Sequence, residues 1–239
     1  MRRWRQRSIL AAAPLTLSLV ACATDAGPGG GNPPDPDAGA PLPDGGAPPP
    51  PPDGGAPADP DAGPAPATYP PGPYGTTVGS TISNRTWRGY MDTNADADQD
   101  PFNEPPHEIT LADFYRGNDS RSRLLLIDQS AGWCGPCQEE AAVMATSAPR
   151  WMPRGIRFLT AMWQDLDGNP GSTDYAATWG HMFGLTTPVV ADPDDLAGTE
   201  FGGNAIPFFI LIDTSTMKIV DFPQVGIADL ESTFEMYAD

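Results

Sequence analysis

The chain has 239 residues, including 30 prolines and 26 glycines, and its 31 acidic and 13 basic residues give a net charge of −18. A surface this acidic repels nucleic acid and anionic lipid headgroups, so we exclude both as direct partners. Eighteen of the prolines lie between Ala23 and Pro73. Only the later part of the chain therefore has the composition of a folded domain.

The N-terminal segment is typical of an export signal. Residues 1–7 are basic, and an apolar run from Ile9 to Val20 follows, which is too short to span a bilayer. The run ends in Leu19-Val20-Ala21-Cys22, which resembles the lipobox of bacterial lipoproteins. The resemblance implies a signal peptide over residues 1–21, a lipid on Cys22, and attachment to a bacterial membrane at its periplasmic face or the cell surface. The alternative is an ordinary secretory signal in which Cys22 is incidental.

Residues 22–74 are predicted to form a disordered linker. They contain short copies of one another, such as Asp35–Gly39, which recurs at Asp59–Gly63. Large apolar side chains are too few here to offset the loss of chain entropy on folding. A proline-rich chain extends by about 3.1 Å per residue, so the linker could reach roughly 150 Å. We assign the folded domain to residues 75–239.

A calcium site is a weak alternative for the acidic loop Asp92–Asp98. Oxygen-bearing side chains alternate in it as they do in calcium loops. However, Ala97 occupies the position that needs glycine, and Asn103 stands where a bidentate glutamate is expected. A solvated loop is therefore the preferred interpretation.

Strand-like and helix-like segments alternate after this loop. This alternation predicts an α/β fold with a central, largely parallel mixed sheet and helices on both faces. The predicted strands are Leu124–Ile127, Arg157–Trp163, Pro207–Ile212 and the edge strand Lys218–Phe222, and the predicted helices are Gly135–Ala148, a helix capped by Ser172 that ends near Phe183, and a terminal helix from about Asp229.

The chemistry is concentrated in Trp133-Cys134-Gly135-Pro136-Cys137. Because a strand leads into this segment and a helix leaves it, Cys134 should lie at a helix N-terminus, facing solvent. Unpaired backbone N–H groups and the helix dipole stabilise a thiolate there, which makes Cys134 the expected nucleophile. Cys137 follows one helical turn later, where it can attack a mixed disulfide. The pattern predicts thiol–disulfide exchange.

The same region resembles the thioredoxin-like superfamily. Asp128, six residues before Cys134, looks like the buried aspartate that moves protons to and from the second cysteine in thioredoxins. Ile206-Pro207 looks like their cis-proline element. The resemblance implies a thioredoxin-like fold with Cys134, Cys137 and Asp128 as catalytic residues. The implied substrate-binding residues are Trp133, Gly135, Pro136, Ile206 and Pro207.

Within that superfamily, the export signal, the extension before Leu111 and Glu140 resemble the TlpA/ResA-type and redoxin branch, although Gln138 and Ala142 depart from its pattern. Thr187–Asp192 is also similar to redoxins. The resemblance implies cysteine-containing envelope proteins as substrates and no cofactor. Gly-Pro between the cysteines favours a reducing role, which would need a membrane electron donor.

Three other interpretations are open. A structural zinc site needs four ligands, and only His107 and His181 are available beside the cysteine pair, so we predict no metal. Both histidines are expected to be surface or core residues. A peroxiredoxin-like peroxidase would have threonine three residues before Cys134, where this chain has Ala131. The last alternative is a non-catalytic binding module on a stalk, although a disulfide closing so small a ring stabilises a fold little.

Overall fold

The computed structural model describes residues 67–93, 100–203 and 205–238. The predicted signal peptide, Cys22, nearly all of the predicted linker and most of the acidic loop lie outside these residues. Within them, no helix combines the length and apolar character needed to cross a bilayer.

The secondary structure contains the predicted elements and several additional ones. Most of the additional elements are short; they either precede Leu124 or lie within and just after the redoxin-like segment Thr187–Asp192. The strands are β1 Thr86–Tyr90, β2 His107–Thr110, β3 Leu124–Ala131, β4 Ile156–Gln164, β5 Val189–Ala191, β6 Phe208–Asp213 and β7 Lys218–Asp221. The helices are α1 Leu111–Phe114, α2 Gly135–Trp151, α3 Thr173–Phe183, α4 Leu196–Phe201 and α5 Glu231–Tyr237, with 3-10 turns at Pro101–Asn103, Met152–Arg154 and Ile227–Leu230.

All seven strands form one mixed sheet in the order β2-β1-β5-β4-β3-β6-β7. Parallel pairing joins β3 to β4 and β4 to β5, where α2 and α3 form the crossover connections. The remaining neighbours in the sheet are antiparallel. The predicted α/β class and mixed sheet are confirmed, but the parallel part is smaller than expected. There are two reasons: β1 and β2, which the sequence pattern did not show, add antiparallel pairings at one edge, and β6 and β7 pair in antiparallel fashion at the other.

Helices cover both faces of the sheet, as predicted. Alternate residues of β3 divide the core between the two faces: Leu124 and Leu126 pack under α2, α3 and α5, whereas Leu125 and Ile127 face α1 and α4. Every residue of β3 is buried. The strand that leads to the cysteine pair therefore lies in the core of the domain.

The predicted start of α3 is confirmed in detail. The Ser172 hydroxyl accepts a hydrogen bond from the backbone N–H of Tyr175 at 3.2 Å, which satisfies one of the free donors of the first turn. The helix ends at Phe183 and is capped by Gly184, whose φ of 63° lies in the left-handed region that glycine adopts without strain.

Described residues that precede Tyr74 also contact the domain. The Tyr69 hydroxyl donates a hydrogen bond to the Ile82 carbonyl oxygen at 3.0 Å, and its ring lies edge-on to Tyr115 with 6.1 Å between ring centres. The chain is thus held against the sheet before β1 begins.

Candidate functional site

The cysteine pair lies where β3 ends and α2 begins. Cys134 is the N-cap residue of α2, and its sulfur accepts a hydrogen bond from the Cys137 backbone N–H at 3.1 Å. The two cysteines form a disulfide, with their Cα atoms 5.2 Å apart. Pro136 lies in the first helical turn, where its missing N–H has no intrahelical partner to lose. The position of Cys134 relative to the helix is the one the sequence indicated.

The disulfide is less accessible than the sequence indicated. Cys134 is only 4 % exposed and Cys137 is completely buried. The prediction that Cys134 faces solvent is therefore wrong for this disulfide form. One neighbour is the carbonyl oxygen of Ile206, which lies 3.7 Å from the Cys134 sulfur.

Ile206 and Pro207 are joined by a cis peptide bond and lead directly into β6. β6 runs antiparallel to β3, with Phe208 opposite Gln129 and Phe209 opposite Asp128. This register brings the cis-proline segment beside the cysteines although Ile206 and Cys134 are 72 residues apart. The backbone carbonyl of Ile206 is thus placed beside the disulfide.

Asp128 lies in β3 and is completely buried. The Ser130 hydroxyl donates to both of its carboxylate oxygens, at 3.1 Å each. Burial raises the pKa of Asp128 to about 7, the Ser130 hydrogen bond acts in the lowering direction, and the charge of Glu140 adds a smaller increase. A carboxyl group with this pKa can both accept and release a proton near neutral pH.

Glu140 extends from α2 towards the cis-proline segment. Its carboxylate accepts a hydrogen bond from the Ile227 backbone N–H at 2.9 Å. It also lines a groove of about 380 Å³ together with Pro207, Phe209 and Gly226. The resemblance singled out Glu140, but the contact with Ile227 depends on a turn 87 residues away and had no signal in the sequence.

Trp133 is the large exposed side chain next to the disulfide, with 48 % of its surface accessible. Its indole N–H donates to the Gln164 side-chain oxygen at 2.8 Å, and its ring meets Trp163 edge-on at 6.3 Å. The backbone N–H of Gly132 also donates to the Gln164 carbonyl oxygen, at 2.9 Å. Sequence reasoning missed Gln164 and Trp163, which fix the orientation of Trp133 from the end of β4.

The two histidines lie in other parts of the domain. His107 is in β2, and His181 is in α3, where its ring meets Phe102 edge-on and its Nε2 lies 3.7 Å from an Asp100 carboxylate oxygen. In the part of the chain that the structure describes, no three His, Cys, Asp or Glu side chains are grouped in a way that could hold a metal ion.

The sheet, its covering helices and the disulfide at the start of α2 give the chain a thioredoxin-like fold. Within this class, the sequence is similar to the thiol-disulfide oxidoreductase ResA of Geobacillus thermodenitrificans, with 27 % identity over 100 residues. The matched region covers 41 % of this chain and 53 % of the relative, so the chain spans about half the length of this curated relative. The similarity supports the predicted TlpA/ResA-type branch.

Solved structures that match part of the chain include the thioredoxin domain of a thiol-disulfide oxidoreductase from Bacteroides vulgatus. It is 16 % identical, with a TM-score of 0.48 over 68 % of this chain and 99 % of that domain. The reduced 2-Cys peroxiredoxin of Plasmodium vivax is 10 % identical, with a TM-score of 0.48 over 66 % and 94 % of the two chains. No family model matches the sequence.

Proposed function

We propose that this chain is a thiol-disulfide oxidoreductase that reduces disulfides in cysteine-containing proteins of the bacterial cell envelope. One observation carries the proposal: the Cys134–Cys137 disulfide lies at the N-terminus of α2, with the Ile206 carbonyl 3.7 Å from the Cys134 sulfur. This arrangement supplies a nucleophilic sulfur, a second sulfur one turn behind it and a backbone acceptor for a substrate.

Cys134 is the attacking residue in this proposal. In the reduced protein, the Cys137 N–H and the dipole of α2 stabilise the Cys134 thiolate, which lowers the free energy of its charged form. Cys137 is completely buried, so a protein substrate reaches Cys134 first. Cys137 is then the resolving residue.

The reaction transfers two electrons in two exchange steps. The Cys134 thiolate attacks one sulfur of the substrate disulfide, forming a mixed disulfide and releasing the other sulfur as a thiolate. Cys137 then loses its proton and attacks the Cys134 sulfur, which restores the Cys134–Cys137 disulfide and releases the second substrate thiolate. We assign to Asp128 the acceptance of the Cys137 proton, because its carboxyl titrates near pH 7 in the interior of the domain. Both released thiolates take up protons, so the substrate gains two electrons and two protons.

Substrate binding is assigned to the surface around the disulfide. Trp133 offers an exposed aromatic face, Gly135 and Pro136 form the start of α2 without bulky side chains, and Ile206-Pro207 offers backbone hydrogen bonding. An extended segment with a cysteine can lie across this surface with its sulfur at Cys134.

Location and electron supply complete the proposal. Lipidation of Cys22 after removal of residues 1–21 would attach the protein to a membrane, and residues 22–74 would act as a tether. Each turnover leaves the protein oxidised, so a reductant in the membrane is needed to regenerate the two thiols. No cofactor takes part, because the cysteine pair carries both electrons.

The proposal is tested by the reduction potential of the cysteine pair and by trapping. We expect the full-length chain to equilibrate with glutathione or dithiothreitol at about −270 mV, as a reducing thioredoxin does. It should also reduce insulin disulfides. Cys137→Ser should accumulate a mixed disulfide with insulin through Cys134, whereas the matched variant Cys134→Ser should trap none.

Two results would replace the proposal. If the wild type consumes hydrogen peroxide with a thiol donor and Cys137→Ser traps no substrate, the peroxidase interpretation is correct. If the wild type shows neither insulin reduction nor peroxide consumption, the chain is a binding module on a stalk.

A further inference from the structure

A half-buried ion pair joins the start of the domain to the helix that precedes the cis-proline segment. Arg85 lies one residue before β1, and its guanidinium bonds to both carboxylate oxygens of Glu200 in α4, 115 residues away. The two side chains are 20 % and 30 % exposed. Arg85 was not singled out by any sequence motif, and the function proposed above makes no use of it.

Buried groups surround this pair. Asp192 is completely buried and accepts a hydrogen bond from the Trp87 indole N–H at 3.1 Å. Burial lowers the pKa of Arg85, while the charge of Asp192 opposes that effect. Arg85 thus bonds to the Glu200 carboxylate in α4 and also interacts with the charge of Asp192, which lies just after β5, so its loss would leave both acids without this cation.

Helix α4 is tied to the sheet at its two ends as well. At its start, the Gln129 side-chain amide donates to the Asp195 carboxylate. At its end, the ring of Phe201 packs against Phe222 with 6.0 Å between ring centres. Arg85–Glu200 is the ionic contact between these two points, one residue before Phe201.

The two glycines that follow α4 are held by the helix itself. Gly202 and Gly203 both donate backbone hydrogen bonds to the Gly198 carbonyl oxygen, so the chain leaves α4 through contacts with the helix itself. Because glycine has no side chain, neither residue makes a side-chain contact with the sheet. Three residues after Gly203 in the sequence is Ile206, whose carbonyl lies beside the Cys134 sulfur.

We propose that Arg85 is a positioning residue for the cysteine site. By holding α4 through Glu200, it fixes the segment that ends at Ile206-Pro207, so that the Ile206 carbonyl stays beside Cys134 and a substrate backbone meets a rigid surface. The inference rests on the proposed oxidoreductase function for its kinetic consequence, but its structural part can be measured without any activity.

The kinetic test compares Arg85→Met with Arg88→Met in the full-length chain. Arg88 lies on β1, is exposed and serves as the matched control. With insulin as substrate, we expect Arg85→Met to raise KM about tenfold while kcat stays within about twofold, because substrate binding and not sulfur chemistry depends on the segment. Arg85→Lys, which keeps the charge, should recover most of the loss. Glu200→Gln, which leaves Arg85 beside Asp192, should shift KM in the same direction.

The structural test measures hydrogen exchange of the peptide spanning residues 196–208. We expect faster exchange there in Arg85→Met and Glu200→Gln than in Arg88→Met, with exchange in α2 unchanged. A lowered melting temperature with unchanged KM and unchanged exchange in this peptide would overturn the inference, since Arg85 would then only stabilise the fold. If the wild type does not reduce insulin, the proposed function fails, and the exchange result alone decides the role of Arg85.

Discussion

Replacement of Asp128 by asparagine should stabilise the oxidised protein, and the gain should grow with pH. Burial raises the pKa of this carboxyl from 3.8 to about 7. Between these values the folded protein keeps a proton that the unfolded chain has lost. The contribution of Asp128 to stability is therefore fully present below about pH 4 and is lost as the pH rises through about 7. Asparagine does not titrate and can still accept the Ser130 hydroxyl bond.

The size of the effect follows from the pKa shift. One pKa unit corresponds to about 1.4 kcal/mol, so the raised pKa of Asp128 costs the folded state about 4 kcal/mol at about pH 8, where the carboxyl is ionised, and roughly 2 kcal/mol at about pH 5, where it must hold its proton. Some of the gain is lost if the new amide N–H group finds no acceptor. This loss is the same at both pH values, so it does not affect the change with pH. We expect the difference in unfolding free energy between Asp128→Asn and the wild type to increase by about 2–3 kcal/mol from about pH 5 to about pH 8.

The assay is urea unfolding of the oxidised full-length chain, followed by tryptophan fluorescence, with the free energy extrapolated to water. Asp167→Asn is the matched control, because Asp167 is an exposed aspartate in the loop after β4. The control should change the pH dependence by less than about 0.5 kcal/mol. An equal stability difference between wild type and Asp128→Asn at both pH values would refute the assignment of a raised pKa to this carboxyl.

Three further predictions follow from other contacts. Glu140→Gln removes a charge that raises the pKa of Asp128, so that pKa should fall; carbon NMR titration of the carboxyl measures it, and an unchanged value contradicts the coupling. Gly180→Ala places a Cβ against the ring of Phe102 and should cost about 1–3 kcal/mol of unfolding free energy, measured in urea; a neutral effect would show that the ring moves freely. Phe234→Ala opens a cavity under α2 and should cost about 3–5 kcal/mol without changing the reduction potential; an altered potential would contradict a purely structural role.

Local signals explain which elements could be predicted from the sequence. Ser172 predicts the start of α3 because its hydroxyl can cap the helix, and Gly135-Pro136 predicts the first turn of α2. β1 has no such signal, because Gly89 interrupts its pattern. The sheet explains why this residue is glycine: β5 packs so close to β1 that a Cβ at position 89 would collide with the backbone of Val189 and Val190. That reason appears only when the strands are paired.

The same division applies to the site. The cysteine pair and its helix follow from a few adjacent residues, and Ile206-Pro207 could be found by resemblance. The low exposure of Cys134 could not, because it depends on a segment 72 residues away. The ion pair of Arg85 with Glu200 depends on a still longer separation. Such contacts arise from sheet order, which hydrophobic periodicity does not reveal.

The antiparallel pairing of β3 with β6 sets the distance between the two halves of the site along the strands. One strand leads to the cysteines and the other follows the cis-proline, so the relative position of the two segments along the strand direction is set by the backbone pairing of Gln129 with Phe208, while α4 holds the chain that approaches β6. A slip of one residue would displace Pro207 by about 3.3 Å and exchange the faces on which Phe208 and Phe209 lie. The spacing between the cysteines and the cis-proline along the strands should therefore survive any substitution that leaves this pairing intact.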